Sequence, residues 1–98
     1  MSSVSFQEFE STARAQGFDE VVERQWKPLT VFGAHEHPFD VKALVVQGEL
    51  WLSVGDATRH LRSGDAFELE RAVLHAERYG DEGATFWVAR RHAGATGA

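Results

Sequence analysis

Three histidines and one glutamate in this chain have the type and spacing to hold and use a metal ion. His35 and His37 are separated only by Glu36, and side chains at i and i+2 of a strand share a face, so both imidazoles point the same way. Two ligands on one strand seldom make a tight site, because structural and catalytic ions take three or four. His75 is the candidate for the third. It lies in a second alternating segment, His75-Ala76-Glu77-Arg78-Tyr79, after an irregular corner that can bring this strand opposite the first. By the same parity Glu77 and Tyr79 share the face of His75. Glu77 is then a catalytic general base, a fourth ligand, or a salt-bridge partner of Arg78 or Arg90. The plainer alternative is that His35 and His37 are polar positions on a hairpin surface and the pocket holds no metal.

The chain has no cysteine, so any metal must be held by His, Asp or Glu, and disulfides and thiolate chemistry are excluded. Asp40 is the carboxylate nearest the first two histidines, but parity turns it away from them unless a bulge follows Pro38. Lys42, a charge inside an apolar run, also points away and is expected in an edge or interface salt bridge. His60, among charged neighbours in a hairpin arm, and His92, in the tail, are expected to be solvated. Trp26, Trp51 and Trp87 are expected in the core or on an association surface, with some at the pocket mouth.

The elements that must position these residues are short and mostly alternating. Ser5 with Glu8 forms a capping-box pattern, Phe6, Phe9 and Ala13 follow at helical spacing, and Gly17 supplies the stop. This predicts one short amphipathic helix whose Phe pair docks on the outside of a sheet. Strands are predicted over 20–26, 29–32, 40–47, 50–54, 57–61, 66–69, 74–79 and 84–90. The breaks fall at Gly48, at the Gly55-Asp56 hairpin, at Ser63-Gly64-Asp65, at the corner 70–73 and at the turn 80–83. Short strands with regular turn signals indicate an antiparallel sandwich or barrel. At 98 residues and 43% hydrophobic content the chain is one domain over 1–98, with a helix in 1–17, a barrel in 18–91 and a frayed Gly- and Ala-rich tail in 92–98.

Ten Lys and Arg are dispersed among fifteen Asp and Glu, for a net charge of −5, which offers no basic face to a phosphate backbone. Nucleic acid is not an expected partner. No stretch has the pattern of a signal peptide or approaches a membrane span, so the expectation is a soluble cytoplasmic protein with no membrane partner.

The stretch HEHPFDVKALVVQGELWL resembles the first signature of the cupin superfamily, which runs His, one residue, His, three or four residues, Glu, six residues, Gly. His35, His37 and Gly48 match in place. The stretch from Gly64 to Tyr79 is similar to the second signature, Gly, five residues, Pro, one, Gly, two, His, three, Asn, with Gly64 and His75 at its spacing. The departures are Val41 where the family has its ligand Glu, then Glu70, Ala72 and Tyr79 where it has Pro, Gly and Asn. The resemblance implies an all-β antiparallel double-stranded β-helix, a jelly-roll or cupin barrel, behind the N-terminal helix. It also implies a three-histidine metal site of His35, His37 and His75 without the family's glutamate. Three imidazoles suit one divalent transition metal, Fe, Ni, Zn or Cu, and leave open positions that can polarise a carbonyl or acidify a bound water. Within that family the expected functions are a mononuclear metalloenzyme of oxygenase, isomerase or lyase type on a small organic molecule, a ligand- or metal-sensing module without catalysis, or a metal-free structural cupin. A homodimer is expected, with the N-terminal helix and the first strand, including Trp26, as its surface.

Overall fold

The computed structural model describes residues 4–92. The Ser5 side chain accepts the Glu8 N–H at 3.1 Å while the Glu8 carboxylate accepts the Ser5 N–H at 2.9 Å, and this reciprocal cap opens α1, Phe6–Ala15. Gly17, at φ +96°, turns the chain out of the helix. The buried face of α1, Phe9 and Ala13, packs with Phe18 and Ala89, and Phe6 meets the Trp87 ring edge-on at 5.5 Å. The Phe pair docks on the outer surface of the sheet, as its spacing predicts.

Six strands follow: β1 (Glu20–Trp26), β2 (Val31–His35), β3 (Phe39–Val54), β4 (Ala57–Arg62), β5 (Ala66–Leu69) and β6 (His75–His92). All pairings are antiparallel. The two long strands, β3 and β6, run beside each other and each serves two leaves. In the first leaf the order is β1, the second half of β6, the first half of β3, then β5. In the second it is β2, the first half of β6, the second half of β3, then β4. Inward residues of both leaves form one core around Val45, Leu50, Leu61 and Tyr79, the largest fully buried side chains. Each buried aliphatic side chain contributes roughly 1.5–3 kcal/mol.

Several boundaries differ from those read in the sequence. Gly48 does not end a strand and residues 80–83 do not form a turn; β3 and β6 run on through both points. The glycines there mark the bend between the leaves, where the β3–β6 register shifts between Val45 and Gln47 and again between Gly48 and Leu50. The second strand starts at Val31 because Leu29 sits in a turn at φ +60°. His92 closes β6 and is not part of a tail; the tail predicted beyond it, 93–98, lies outside the described residues. No helix among the described residues is long and apolar enough to cross a membrane.

Candidate metal centre

β2 and β6 deliver the first two ligands face to face, since His35 pairs with His75 in the ladder. A bulge makes this work. Phe32 pairs with Glu77 and His35 with His75, so three steps along β2 answer two along β6. Strict alternation would put Phe32 and His35 on opposite faces, but the extra residue lets both line the interior.

His37 is not on the same strand as His35. It lies in the short link before β3, where Pro38 has no N–H to continue a ladder. The link is held all the same: the His37 carbonyl accepts the Ala72 N–H at 2.8 Å, and the His37 ring stacks on Phe39 at 4.8 Å and 9°. The three rings converge, with centroids 4.3 Å apart for His35 and His75, 5.0 Å for His35 and His37, and 5.2 Å for His37 and His75. One ring nitrogen from each lies within 4.8 Å of the other two.

The hydrogen bonds fix which nitrogens face inward. His35 Nδ1 lies 2.7 Å from the Gly33 carbonyl oxygen and His75 Nδ1 lies 2.9 Å from that of Val73. A carbonyl only accepts, so each Nδ1 carries a proton, and in the neutral ring Nε2 is the atom with the lone pair. The Nε2 of His75, a residue 3% exposed, has no hydrogen-bond partner among the described residues. An unpaired buried acceptor is costly, and a cation would satisfy it. Glu77 Oε2 stands 3.4 Å from His75 Nε2 and 3.8 Å from His35 Nε2, which brings a carboxylate beside both inward ring nitrogens. Burial, and then the neighbouring His75 and His35, hold the His37 pKa below its usual value and favour the neutral, ligating form. The donor set fits a divalent metal.

Glu77 is itself held. The Tyr79 hydroxyl donates to its Oε1. Burial first, and then the charge of Glu77, push the Tyr79 pKa far above its ordinary value, so the phenol keeps its proton as donor. Among the described residues Glu77 makes no salt bridge with Arg78 or Arg90: Arg78 lies 4.2 Å over the Trp51 ring, and Arg90 Nη1 lies 3.5 Å from Glu20 Oε1. Arg78 is the next residue along the strand and so faces outward.

The other candidates are elsewhere. Asp40 accepts the Arg71 N–H at 2.8 Å and Arg91 Nε at 3.0 Å, turned away from the histidines as parity requires. Lys42 makes no salt bridge among the described residues; it donates to the Gln16 side-chain oxygen at 2.6 Å. His60, exposed as expected, is nonetheless paired with Glu49 at 2.6 Å and stacked on Trp51 at 4.4 Å. His92 Nε2 pairs with Glu20 at 2.8 Å instead of standing free in solvent. Trp26 lies against Phe32 at 4.8 Å and lines the cavity, one of the places expected for the tryptophans.

The cluster opens into a cavity of about 440 Å³, a volume typical of small-molecule sites. Its walls include Trp26, Phe32, Phe39, Val41, Phe67 and Phe86. Val41 presents only an apolar surface here. Arg24 and Arg90 also line it, a placement the sequence left open because the parity of two different strands had to be known.

No protein-family model matches the chain, and no curated protein matches it in sequence. Among solved structures, a protein with a double-stranded β-helix domain from Klebsiella pneumoniae has a TM-score of 0.67 at 23% identity, covering 81% of this chain and 71% of that one. An RmlC-like cupin from Shewanella frigidimarina has a TM-score of 0.66 at 19% identity, covering 79% and 69%. The DMSP lyase DddQ from Ruegeria pomeroyi has a TM-score of 0.68 at 22% identity over 74% of this chain, which spans only 38% of that enzyme. The two-leaf pairing built on β3 and β6 and the fold these structures share give the same result: the chain has the double-stranded β-helix fold of a small cupin.

Proposed function

We propose that this domain binds one divalent transition metal through His35, His37 and His75 and acts on a small organic molecule, with Glu77 as the acid–base group. The observation that carries this reading is the buried, unpartnered Nε2 of His75 at the centre of the cluster. Held by the three histidines, the ion would supply Lewis-acid chemistry at the cavity. The protein does the rest. His35 and His75 are locked by their carbonyl contacts with Nε2 turned inward. Tyr79 occupies Oε1 of Glu77 and thereby leaves Oε2, on the histidine side, as the atom that takes a proton from a substrate and returns it. The apolar walls lower the polarity around that exchange.

A sensing module without catalysis would have its pocket polar groups already paired. The carboxylate oxygen of Glu77 facing two imidazole lone pairs favours the enzyme reading over it. DddQ, a DMSP lyase, shares this fold over 38% of its length, which supports such chemistry for the scaffold. Titration with Co(II), followed by its visible absorption, tests the ligand set. One equivalent with imidazole-type bands is expected for the parent and for His60→Ala, and none of that affinity for His35→Ala or His75→Ala. Uptake by His75→Ala as tight as the parent's would overturn the assignment.

A further inference from the structure

We propose that the cavity selects a small organic acid, its carboxylate held by Arg90 with Arg24 while the rest of the molecule extends toward the histidine cluster. The proposal deepens the metal reading, though the anion contact itself needs no metal.

The two arginines enter from the leaf opposite His75 and Glu77. Arg90 pairs across β3 with Val41, and Arg24 pairs across β6 with Phe86, and both partners are inward core residues. Arg90 is poorly satisfied there. Among the described residues its Nε is buried without a partner, and its one ion pair is a 3.5 Å contact to a Glu20 oxygen that already accepts His92 at 2.8 Å. A guanidinium carries five N–H donors in a planar fork. Its side chain is only 20% exposed, so water replaces few of the missing acceptors. Arg24 makes no ion pair among the described residues. Two cations therefore face a cavity whose lining contains a single carboxylate, Glu77, on the other leaf.

A planar, two-oxygen anion fits such a fork with two parallel charge-assisted hydrogen bonds, which a neutral amide of the same shape cannot reproduce. The surface between the arginines and the histidines is aromatic and aliphatic, with Phe39, Val41 and Phe86 among it, and suits an unbranched or aryl body. Arg90 already lies 5.1 Å over the Phe39 ring, which also stacks on His37 and meets His92 at 5.1 Å, so one aromatic side chain links the anion end to the metal end.

The test is calorimetric titration of monocarboxylates from butyrate to 3-phenylpropionate, each against its own amide, on chelator-treated and on metal-loaded protein. At least one acid should bind about tenfold or more tightly than its amide in both preparations. That preference should collapse toward unity in Arg90→Gln, recover in part in Arg90→Lys, and weaken in Arg24→Gln, whose exposed position keeps the fold intact if Arg90→Gln unfolds. The proposal is overturned if no acid binds, if acid and amide bind alike, or if both glutamine variants keep the preference. A preference that appears only with metal and survives Arg90→Gln would place the carboxylate on the ion and overturn it too. Metal content is measured on the same samples: absent metal with the preference intact removes the metal reading and leaves this one standing.

Discussion

Gly48 and Gly83 meet backbone to backbone where β3 and β6 pass from one leaf to the other: a Cβ on Gly48 would lie 2.2 Å from the Gly83 carbonyl oxygen. Gly48 also holds φ +79°, in the region that favours glycine. Gly48→Ala should therefore cost about 2 kcal/mol or more in urea unfolding. Gly33→Ala, with no atom within 4 Å of the new Cβ, should stay within about 0.5 kcal/mol of the parent. Equal effects would mean that the bend is not fixed by this contact.

The contact between Tyr79 and Glu77 predicts an energetic coupling. Tyr79→Phe keeps the ring and deletes the donor, and a hydrogen bond to a charged group is worth about 1.5–3 kcal/mol. A double-mutant cycle with Glu77→Gln should give a coupling of about 1 kcal/mol or more. Additive losses would show that the hydroxyl does not position the carboxylate.

Asp40 ties the corner before His75 to β3, and it gives the acid limb of stability a definite sign. The Arg71 backbone N–H first, then the Arg71 and Arg91 side chains, hold its carboxyl below the usual carboxylate range. A depressed folded pKa contributes stability that is complete above the unfolded value, about 3.9, and is lost as pH falls through the folded value. The advantage of the parent over Asp40→Asn should be constant from neutral pH to about pH 5 and shrink below about pH 4. A gap that widens on acidification would contradict this.

Metal should stabilise the fold by mass action, by about 2.7 kcal/mol at a hundredfold excess over Kd. Thermal melts should shift upward with Ni(II) or Zn(II), return on adding chelator, and stay unmoved in His75→Ala. A shift of the same size in His75→Ala would assign the effect to surface sites such as the His60–Glu49 pair.

Much of this was legible in the sequence, and the failures share one cause. Parity along β6 correctly put His75, Glu77 and Tyr79 on one face, and the capping box and Phe spacing correctly placed α1 on the sheet's outer surface. Glycine was the weak sign. At Gly17 and Gly55 it marks a turn, but at Gly48 and Gly83 it marks a bend inside a continuous strand, and the two uses differ only in which backbone comes close. Parity also fails across the bulge between Phe32 and His35, and it does not govern His37, which reaches the same cavity from the link after the strand. The inward facing of Arg90 follows from its pairing with Val41, a long-range fact that no local pattern carries.

The central claim is tested most directly by elemental analysis of protein purified without added metal or chelator, followed by titration of the same sample with Zn(II) or Ni(II). The account predicts that the two together reach one equivalent per chain, lost in His75→Ala and kept in His60→Ala. A content near zero with no uptake on titration would contradict it.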